Sequence, residues 1–115
     1  MSKEPQAIRI PVRLPRADWL ACGKALRNGF SASMLEEVTL EFSGGQLTIS
    51  TRWGGTVMPY EGNYEGAFIL RGGAYQQLVS SNTKGHTSEP WIKGKVDLEL
   101  KEFALGNAGV KCKFV

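Results

Sequence analysis

Apolar and polar residues alternate along most of the chain, which is the pattern of strands that bury one face. In residues 37–42 the apolar Val38, Leu40 and Phe42 are separated by polar residues, and the glycine pair at 44–45 predicts a hairpin turn. The same reasoning predicts strands at 8–14, 37–42, 46–52, 56–62, 65–71, 95–103 and 109–115, with a short strand and a turn within 104–109.

Two segments follow helical spacing instead of alternation. Residues 16–28 begin after Pro15 and end at an Asn-Gly pair, which predicts one helix there. Residues 74–82 follow the pair Gly72–Gly73, and their narrower stripe predicts a second, shorter helix. The apolar stripes are Trp19, Cys22 and Leu26 in the first helix, and Tyr75, Leu78 and Val79 in the second.

The resulting order of elements is β-α-β-β-β-β-α-β-β-β, within a single domain spanning residues 1–115. Antiparallel hairpins with two helices predict an α+β fold, in which both helices pack on one face of one antiparallel sheet. Residues 1–7 are predicted to be flexible. No apolar run approaches the ~18 residues that a membrane span needs, and the N-terminus lacks a secretory h-region. A cytoplasmic protein without a membrane partner is therefore expected.

Composition adds modest constraints on the chemistry. The formal charge is +3 and the sequence pI about 9.0, which permits weak attraction to polyanions. Lysine and arginine are scattered along the chain rather than clustered in a run. Cys22 and Cys112 have no metal-ligand spacing, so they are predicted to be reduced, buried thiols. No cofactor is predicted.

The sequence offers little for catalysis. His86 is the single histidine and lies in the polar segment 83–90, where neighbouring serines and Glu89 do not make a triad by adjacency alone. Gly72–Gly73 precede a helix and could place an anion at its N-terminus, but a flexible strand-to-helix turn is the preferred interpretation. A non-enzymatic protein is predicted, and a small α+β enzyme or ligand-binding protein of unrelated fold is the alternative.

The order of elements resembles one repeat of the DNA sliding clamp, the ring-shaped processivity factor of replicative polymerases. Residues 38–51, VTLEFSGGQLTIST, are similar to the family's second and third strands, and GAFILRGGAYQQLVSS at 66–81 to its fourth strand and second helix. KVDLELKEFALGNAGVKCKFV at 95–115 is similar to the closing strands. The resemblance implies a binding or assembly module, such as a replication or mobile-element accessory. Because clamp rings hold six repeats, a ring of this chain would need six copies.

The resemblance also implies where DNA would be contacted, since clamp helices line the central hole and meet phosphates without reading bases. The DNA-backbone candidates are Arg16, Lys24 and Arg27 on the first helix, with Arg71 and Lys84 flanking the second. Helical spacing places the first three near one face, roughly opposite Trp19 and Cys22. The alternative is an ordinary solvated face, because Asp18 interrupts the pattern and the second helix carries no charge.

Clamps also bind partner peptides in an apolar surface pocket, and aromatic residues near the predicted turns imply a similar pocket here. The partner-surface candidates are Trp53, Met58, Tyr60 and Trp91, with Tyr64 close by in sequence. The alternative is that these residues cap the end of a small core. Lys111 and Lys113 point outward from the last predicted strand, which either protects an edge against unwanted pairing or keeps an outer face soluble.

Overall fold

The computed structural model describes residues 9–30, 37–52, 54–83 and 89–115, and for 26–30 and 83 it describes the backbone only. The elements are β1 (Arg9–Pro15), α1 (Arg16–Phe30), β2 (Glu37–Ser43), β3 (Gln46–Thr51), β4 (Gly54–Pro59), β5 (Glu61–Gly62), β6 (Gly66–Arg71), α2 (Gly72–Thr83), β7 (Trp91–Asp97), β8 (Glu102–Leu105), β9 (Ala108–Lys111) and β10 (Lys113–Phe114). They form an α+β fold with two helices and two antiparallel sheets of five strands each.

The strands divide between two sheets, so the prediction of one sheet was wrong. The first sheet has the order β5–β1–β7–β8–β9, and the second has the order β10–β6–β2–β3–β4. Two short strands, β5 and β10, carry the chain from one sheet to the other. The alternating pattern did not distinguish them from β4 and β9, which precede them. After Pro59, which cannot donate to a ladder, the chain leaves the second sheet and Glu61–Gly62 pair with Val12 and Arg13 of β1. After β9 the chain returns, and Lys113–Phe114 pair with β6.

The inner faces of the two sheets share one core. Phe42 and Phe68, predicted to face inward, are fully buried in the second sheet. Phe103 of the first sheet contacts both of them, with ring centroids 6.0 Å from Phe42 and 5.2 Å from Phe68. Aromatic pairs of this kind contribute about 0.5–1.5 kcal/mol beyond the burial of their area. Side chains from different sheets therefore hold the molecule together.

The two helices pack side by side, as the sequence predicted. The rings of Trp19 in α1 and Tyr75 in α2 meet edge to face with centroids 5.5 Å apart. One turn further on, a Cβ placed on Gly23 would lie 2.7 Å from Cγ1 of Val79, so the absence of a side chain permits the close approach. Because α1 packs on β4 and α2 packs on β9, the helix pair crosses both sheets.

The three glycine pairs serve different purposes. Gly44–Gly45 form the predicted turn, with φ of +60° and +83° that favour glycine. Gly54–Gly55, also predicted as a turn, lie in β4 opposite Thr51 and Ser50, which corrects that prediction. Gly72–Gly73 form the first turn of α2, so the second helix starts two residues earlier than the spacing predicted.

The predicted strand 95–103 was wrong in its centre. The segment 98–101 is a turn between β7 and β8, and Leu98 and Leu100 are exposed although alternation placed them inward. Asp97 causes the break, since its Oδ1 accepts hydrogen bonds from the backbone N–H groups of Glu99 at 3.0 Å and Leu100 at 2.9 Å. Lys101 completes the turn with a φ of 56°.

Several predictions concern residues outside the described ranges, namely the flexibility of 1–7 and the surface position of His86. In the part of the chain that is described, neither helix is long and apolar enough to cross a membrane. Cys22 is a buried free thiol and Cys112 a half-buried one. Burial raises the pKa of Cys22 and raises the pKa of Cys112 to about 11, so both thiols stay protonated at neutral pH.

Candidate nucleic-acid interface

The outward side of the first sheet collects basic side chains from three strands. In the pairing of β1 with β7, Arg13 lies opposite Lys93, and Pro11 lies opposite Lys95. Directly opposed residues share a face of the sheet, and their buried sequence neighbours show that this face is the outer one. The name basic face is used here for the outward cations of this sheet: Arg9, Arg13, Lys93, Lys95 and Lys111.

Three of the five cations have acidic partners on the same sheet. Arg9 Nε lies 3.2 Å from Asp97, Lys111 Nζ lies 3.3 Å from Glu102, and Arg13 pairs with Glu61. Lys93 and Lys95 are exposed and have no ion pair among the described residues. The open positive charge of this face is therefore concentrated on one strand, β7.

Asp97 is fixed as a carboxylate on this face. The N–H of Leu100 is the largest cause that lowers its pKa below the ordinary value, followed by the N–H of Glu99 and by Arg9, while burial opposes the shift. The pairing of Arg9 with Asp97 thus persists at neutral pH.

The surface beside Lys95 is flat. Its partner on β8 is Ala104, and the partner of Ala104 on β9 is Gly109. A Cβ on Gly109 would find only ordinary contact, 3.8 Å from the Cβ of Ala104, so at these two outer positions only the methyl group of Ala104 projects from the sheet. An extended polymer can therefore approach the sheet closely next to Lys95.

A pocket of about 330 Å³ opens at the end of this face, between the C-terminus of α2, the start of β7 and the β8–β9 turn. We call it the Trp91 pocket. Its lining residues are Arg16, Ser81, Asn82, Glu89, Trp91, Ile92, Lys93, Gly106 and Asn107. The volume falls within the range of small-molecule sites, about 300–1,000 Å³, and the lining mixes an aromatic ring with polar groups.

Hydrogen bonds hold one wall of the pocket in place. Arg16 donates from Nε to the carbonyl of Glu89 at 2.9 Å and from Nη1 to the carbonyl of Asn82 at 3.2 Å. The buried amide of Asn82 donates to the carbonyls of Leu78 at 2.7 Å and Leu105 at 3.3 Å. Arg16 thereby satisfies an orphan carbonyl at the end of α2, and the wall is preorganised.

The indole of Trp91 is held from the sheet side. The guanidinium carbon of Arg13 lies 4.5 Å from the centroid of the Trp91 ring, within cation–π distance. Trp91 is half-buried and also lines the pocket. Arg13, a cation of the basic face, therefore orients the ring. The ring lies at the boundary between the basic face and the Trp91 pocket.

The structure brings together two residues that the sequence assigned to different candidate sites. Arg16, a DNA-backbone candidate, and Trp91, a partner-surface candidate, line the same pocket. Lys24 lies exposed on α1, and Arg71 lies exposed at the end of β6. The side chains of Arg27, Lys84 and Trp53 lie outside the described residues, so the predicted helix face stays a prediction.

Two partner-surface candidates are core residues. Met58 is 2% exposed and Tyr60 is 5% exposed, and Tyr64 is equally buried. Tyr60 packs edge to face on Phe42 with centroids 4.9 Å apart, and its hydroxyl donates to the carbonyl of Tyr64 at 2.7 Å. For these residues the alternative interpretation, that they cap the end of the core, matches their burial.

Sequence reasoning missed Lys93 and Lys95. The alternation at 8–14 already placed Arg9 and Arg13 on an outer face, but Trp91 was placed in the preceding loop, residues 92–94 were given no element and the predicted strand began only at Lys95. The strand β7 in fact begins at Trp91. The sequence does contain the alternation of a strand here. Trp91, Lys93 and Lys95 occupy one set of alternate positions, and Ile92, Gly94 and Val96 occupy the other.

A second concavity of about 380 Å³ lies between α1 and the edge strand β4. Its lining is mostly apolar or small: Asp18, Ala21, Cys22, Ala25, Thr56, Val57, Met58 and Pro59. Val57 is 52% exposed on the outer side of the strand. This groove offers an apolar surface rather than a set of catalytic groups. It lies beside the edge of β4, which has no further strand partner in the described structure.

Among the described residues, no group of His, Cys, Asp and Glu side chains has the arrangement of a metal site. The candidate features of this part of the chain are the basic face, the Trp91 pocket and the β4 edge. No protein-family model matches the chain, and no curated protein matches its sequence. The resemblance to the sliding clamp is consequently an interpretation of the sequence pattern alone.

Proposed function

We propose that this protein is a non-enzymatic, clamp-like binding module that holds the sugar–phosphate backbone of nucleic acid against the basic face. The observation that carries the proposal is the exposed pair Lys93 and Lys95, two cations without an ion pair in the described structure and next to a flat part of the sheet. Residues two apart on a strand project from one face about 6.6 Å from each other. Both can therefore contact one polyanion.

The rest of the basic face supports the same assignment. The exposed pair of Arg13 and Glu61 contributes about 0–1 kcal/mol, as surface ion pairs do, so a phosphate can replace the carboxylate at Arg13. The contacts in this proposal are to phosphates and carry no base sequence information. Affinity for many nucleic acids with strong salt dependence follows.

Fluorescence anisotropy with a labelled 20-base-pair duplex and a labelled single strand, over a series of salt concentrations, tests the proposal. The variant Lys93→Gln/Lys95→Gln should lower the salt slope of log affinity by about 1.8 on duplex and about 1.4 on single strands, since each lost phosphate contact removes about 0.9 or 0.7. The matched control is Lys24→Gln/Lys113→Gln, which removes the same charge from α1 and the second sheet.

The control also tests the helix face predicted from the clamp resemblance. If Lys24→Gln/Lys113→Gln weakens binding and Lys93→Gln/Lys95→Gln does not, nucleic acid binds elsewhere than the basic face. If the wild-type protein binds neither probe at low salt, the proposed function is wrong. A circular dichroism spectrum of each variant establishes that the fold is intact before the affinities are compared.

The strand β4 supports a second candidate function, the assembly of copies of this chain. Within the described structure β4 pairs with β3 alone, so one row of its backbone groups has no strand partner, and residues 54–59 include no charged side chain. Edge strands of monomers are usually protected by charge, whereas β4 presents the exposed, apolar Val57. Pairing of β4 in one copy with β9 in the next would join copies head to tail.

Sedimentation velocity at increasing protein concentration tests this assembly. Val57→Lys should shift the equilibrium toward monomer, whereas Leu100→Lys, at a similarly exposed leucine in the β7–β8 turn, should leave it unchanged. A wild-type protein that is monomeric at every concentration would argue against assembly of identical copies, and it would leave nucleic-acid binding by the basic face untouched.

A further inference from the structure

We infer that the Trp91 pocket accepts an unpaired nucleobase, so that the basic face binds single-stranded nucleic acid in preference to duplex. This inference rests on the proposed function, because the phosphates of the same strand would lie on Lys93 and Lys95. It adds a stacking site and a choice between single and double strands, neither of which follows from backbone contacts.

The position of the pocket is the first argument. Lys93 belongs to both features, since its side chain is on the basic face and it lines the Trp91 pocket. A strand whose phosphates contact Lys95 and then Lys93 reaches the mouth of the pocket at its next nucleotide, because Trp91 precedes Lys93 on the same side of β7. Another concavity, lined by Pro11, Val12, Arg13, Glu61 and Gly62, also borders the basic face, but its lining has no aromatic ring.

The chemistry of the lining is the second argument. Base stacking on an aromatic side chain is the general means of holding single strands, and Arg13 already orients the indole of Trp91. Ser81 and Asn107 supply polar groups suited to the edge of a base. Glu89 is an acidic residue of the same lining, which disfavours a phosphate inside the pocket and suits a neutral ring.

The preference for single strands follows from geometry. In a duplex each base is stacked on its neighbours and paired at its edge, so no π-face is free to contact Trp91. An unpaired base exposes that face without the cost of unstacking a helix. Duplex DNA would therefore contact only the cations of the basic face, and a single strand would gain the stacking contact in addition.

Binding of three labelled probes of equal length tests the inference: the single strand dT15, a 15-residue abasic strand with the same phosphates, and a 15-base-pair duplex. Wild-type protein should bind dT15 about tenfold more tightly than the abasic strand, as expected for one stacked base. Because this comparison needs no variant, it is independent of any effect of substitution on folding. Equal affinity for dT15 and the abasic strand would overturn the inference.

Variants at the ring assign the effect to Trp91. Trp91→Leu should weaken dT15 about tenfold and leave duplex binding unchanged, whereas the matched aromatic variant Trp91→Phe should retain most of the affinity for dT15. Quenching of tryptophan fluorescence by dT15 should disappear in Trp91→Phe, although the other two tryptophans are still present. Quenching that persists in this variant would place the stacked base elsewhere.

The outcomes separate the inference from the function it rests on. If Lys93→Gln/Lys95→Gln weakens all three probes and Trp91→Leu weakens none, the basic face binds backbone and the base pocket is wrong. If wild-type protein prefers the duplex, the single-strand preference is wrong while backbone binding stands. If no probe binds, both proposals fail together.

Discussion

The two sheets bury similar inner faces and expose different outer faces. Each inner face is a row of aliphatic and aromatic residues that meet at Phe103 and Phe42. The outer face of the second sheet carries charges of both signs, Glu37 and Glu41 on β2 with Arg71 on β6 and Lys113 on β10, around the neutral Thr39, Thr48 and Ser50. The outer face of the first sheet carries the five cations of the basic face and ends at the Trp91 pocket. Stability is therefore common to both sheets, whereas an excess of cations over acidic residues is found on the outer face of the first sheet.

The outer faces can differ while the inner faces are alike, because substitutions at inner positions cost more stability than substitutions at outer positions. An inner position loses several kcal/mol if its side chain is truncated, so both sheets are constrained alike. An outer position tolerates most polar residues within about 0.5 kcal/mol, so its composition is free to serve binding. Lys93 and Lys95 beside a flat surface are consequently more informative about function than any residue of the core.

The largest expected effect tests whether the two sheets share one core. Phe103→Ala in the first sheet and Phe42→Ala in the second should each destabilise the protein by about 3–5 kcal/mol, because each removes a buried ring that contacts the other sheet. Chemical denaturation followed by circular dichroism measures the loss. Leu100→Ala, at an exposed leucine, is the control and should change stability by less than about 0.5 kcal/mol.

Hydrogen exchange shows whether the loss is shared. In both phenylalanine variants the amides of β2 and β8, one strand from each sheet, should lose protection together. Selective loss of protection in the sheet that carries the substitution would mean that the sheets are separate units, and the comparison of two outer faces on one body would fail.

A smaller effect contrasts the two faces of the first sheet at glycines. A Cβ on Gly94 would lie 2.6 Å from the carbonyl oxygen of Ala104 and 2.9 Å from Cδ1 of Leu105, whereas a Cβ on Gly109 would make only an ordinary contact, 3.8 Å from the Cβ of Ala104, on the outer face. Gly94→Ala should therefore cost about 1–3 kcal/mol through overpacking. Gly109→Ala should be within about 0.5 kcal/mol of wild type. Thermal unfolding measures both, and equal losses would show that the outer face is as constrained as the inner one.

Alternation was sufficient to predict the inner faces, and it failed where a side chain acts on the backbone. Val38, Leu40 and Phe42 are buried as the pattern predicts. Leu98 and Leu100 continue the same pattern but are exposed, because the carboxylate of Asp97 captures two backbone N–H groups and ends the strand. Alternation of apolar and polar residues indicates which side chains can face inward, but it does not indicate where a strand ends in a turn.

The candidate site could be predicted only in pieces, since it depends on which strands are neighbours. Arg16 and Trp91 were selected from sequence for separate reasons, and they line one pocket because α1 starts where β7 starts. The backbone N–H of Arg16 donates to the carbonyl of Pro90 at 2.7 Å, a contact between residues distant in sequence. The pairing of β1 with β7 likewise creates the basic face, and no local pattern specifies that pairing.

The smallest expected effect comes from the hydroxyl groups of two buried tyrosines in the shared core. The hydroxyl of Tyr60 donates to the carbonyl of Tyr64 at 2.7 Å, whereas the hydroxyl of Tyr75 has no partner among the described residues. Burial, and then the nearby Cys22, raises the pKa of Tyr75 far above its ordinary value, so it carries no charge at any pH of interest.

Tyr60→Phe should therefore cost about 1 kcal/mol, since it leaves a buried carbonyl without its donor, and Tyr75→Phe should be neutral or slightly stabilising. The two substitutions remove the same atom from equally buried rings, so each is the control for the other in chemical denaturation. The opposite order would mean that the Tyr75 hydroxyl has a partner between the helices and that the helix pair, rather than the end of the second sheet, depends on a polar contact.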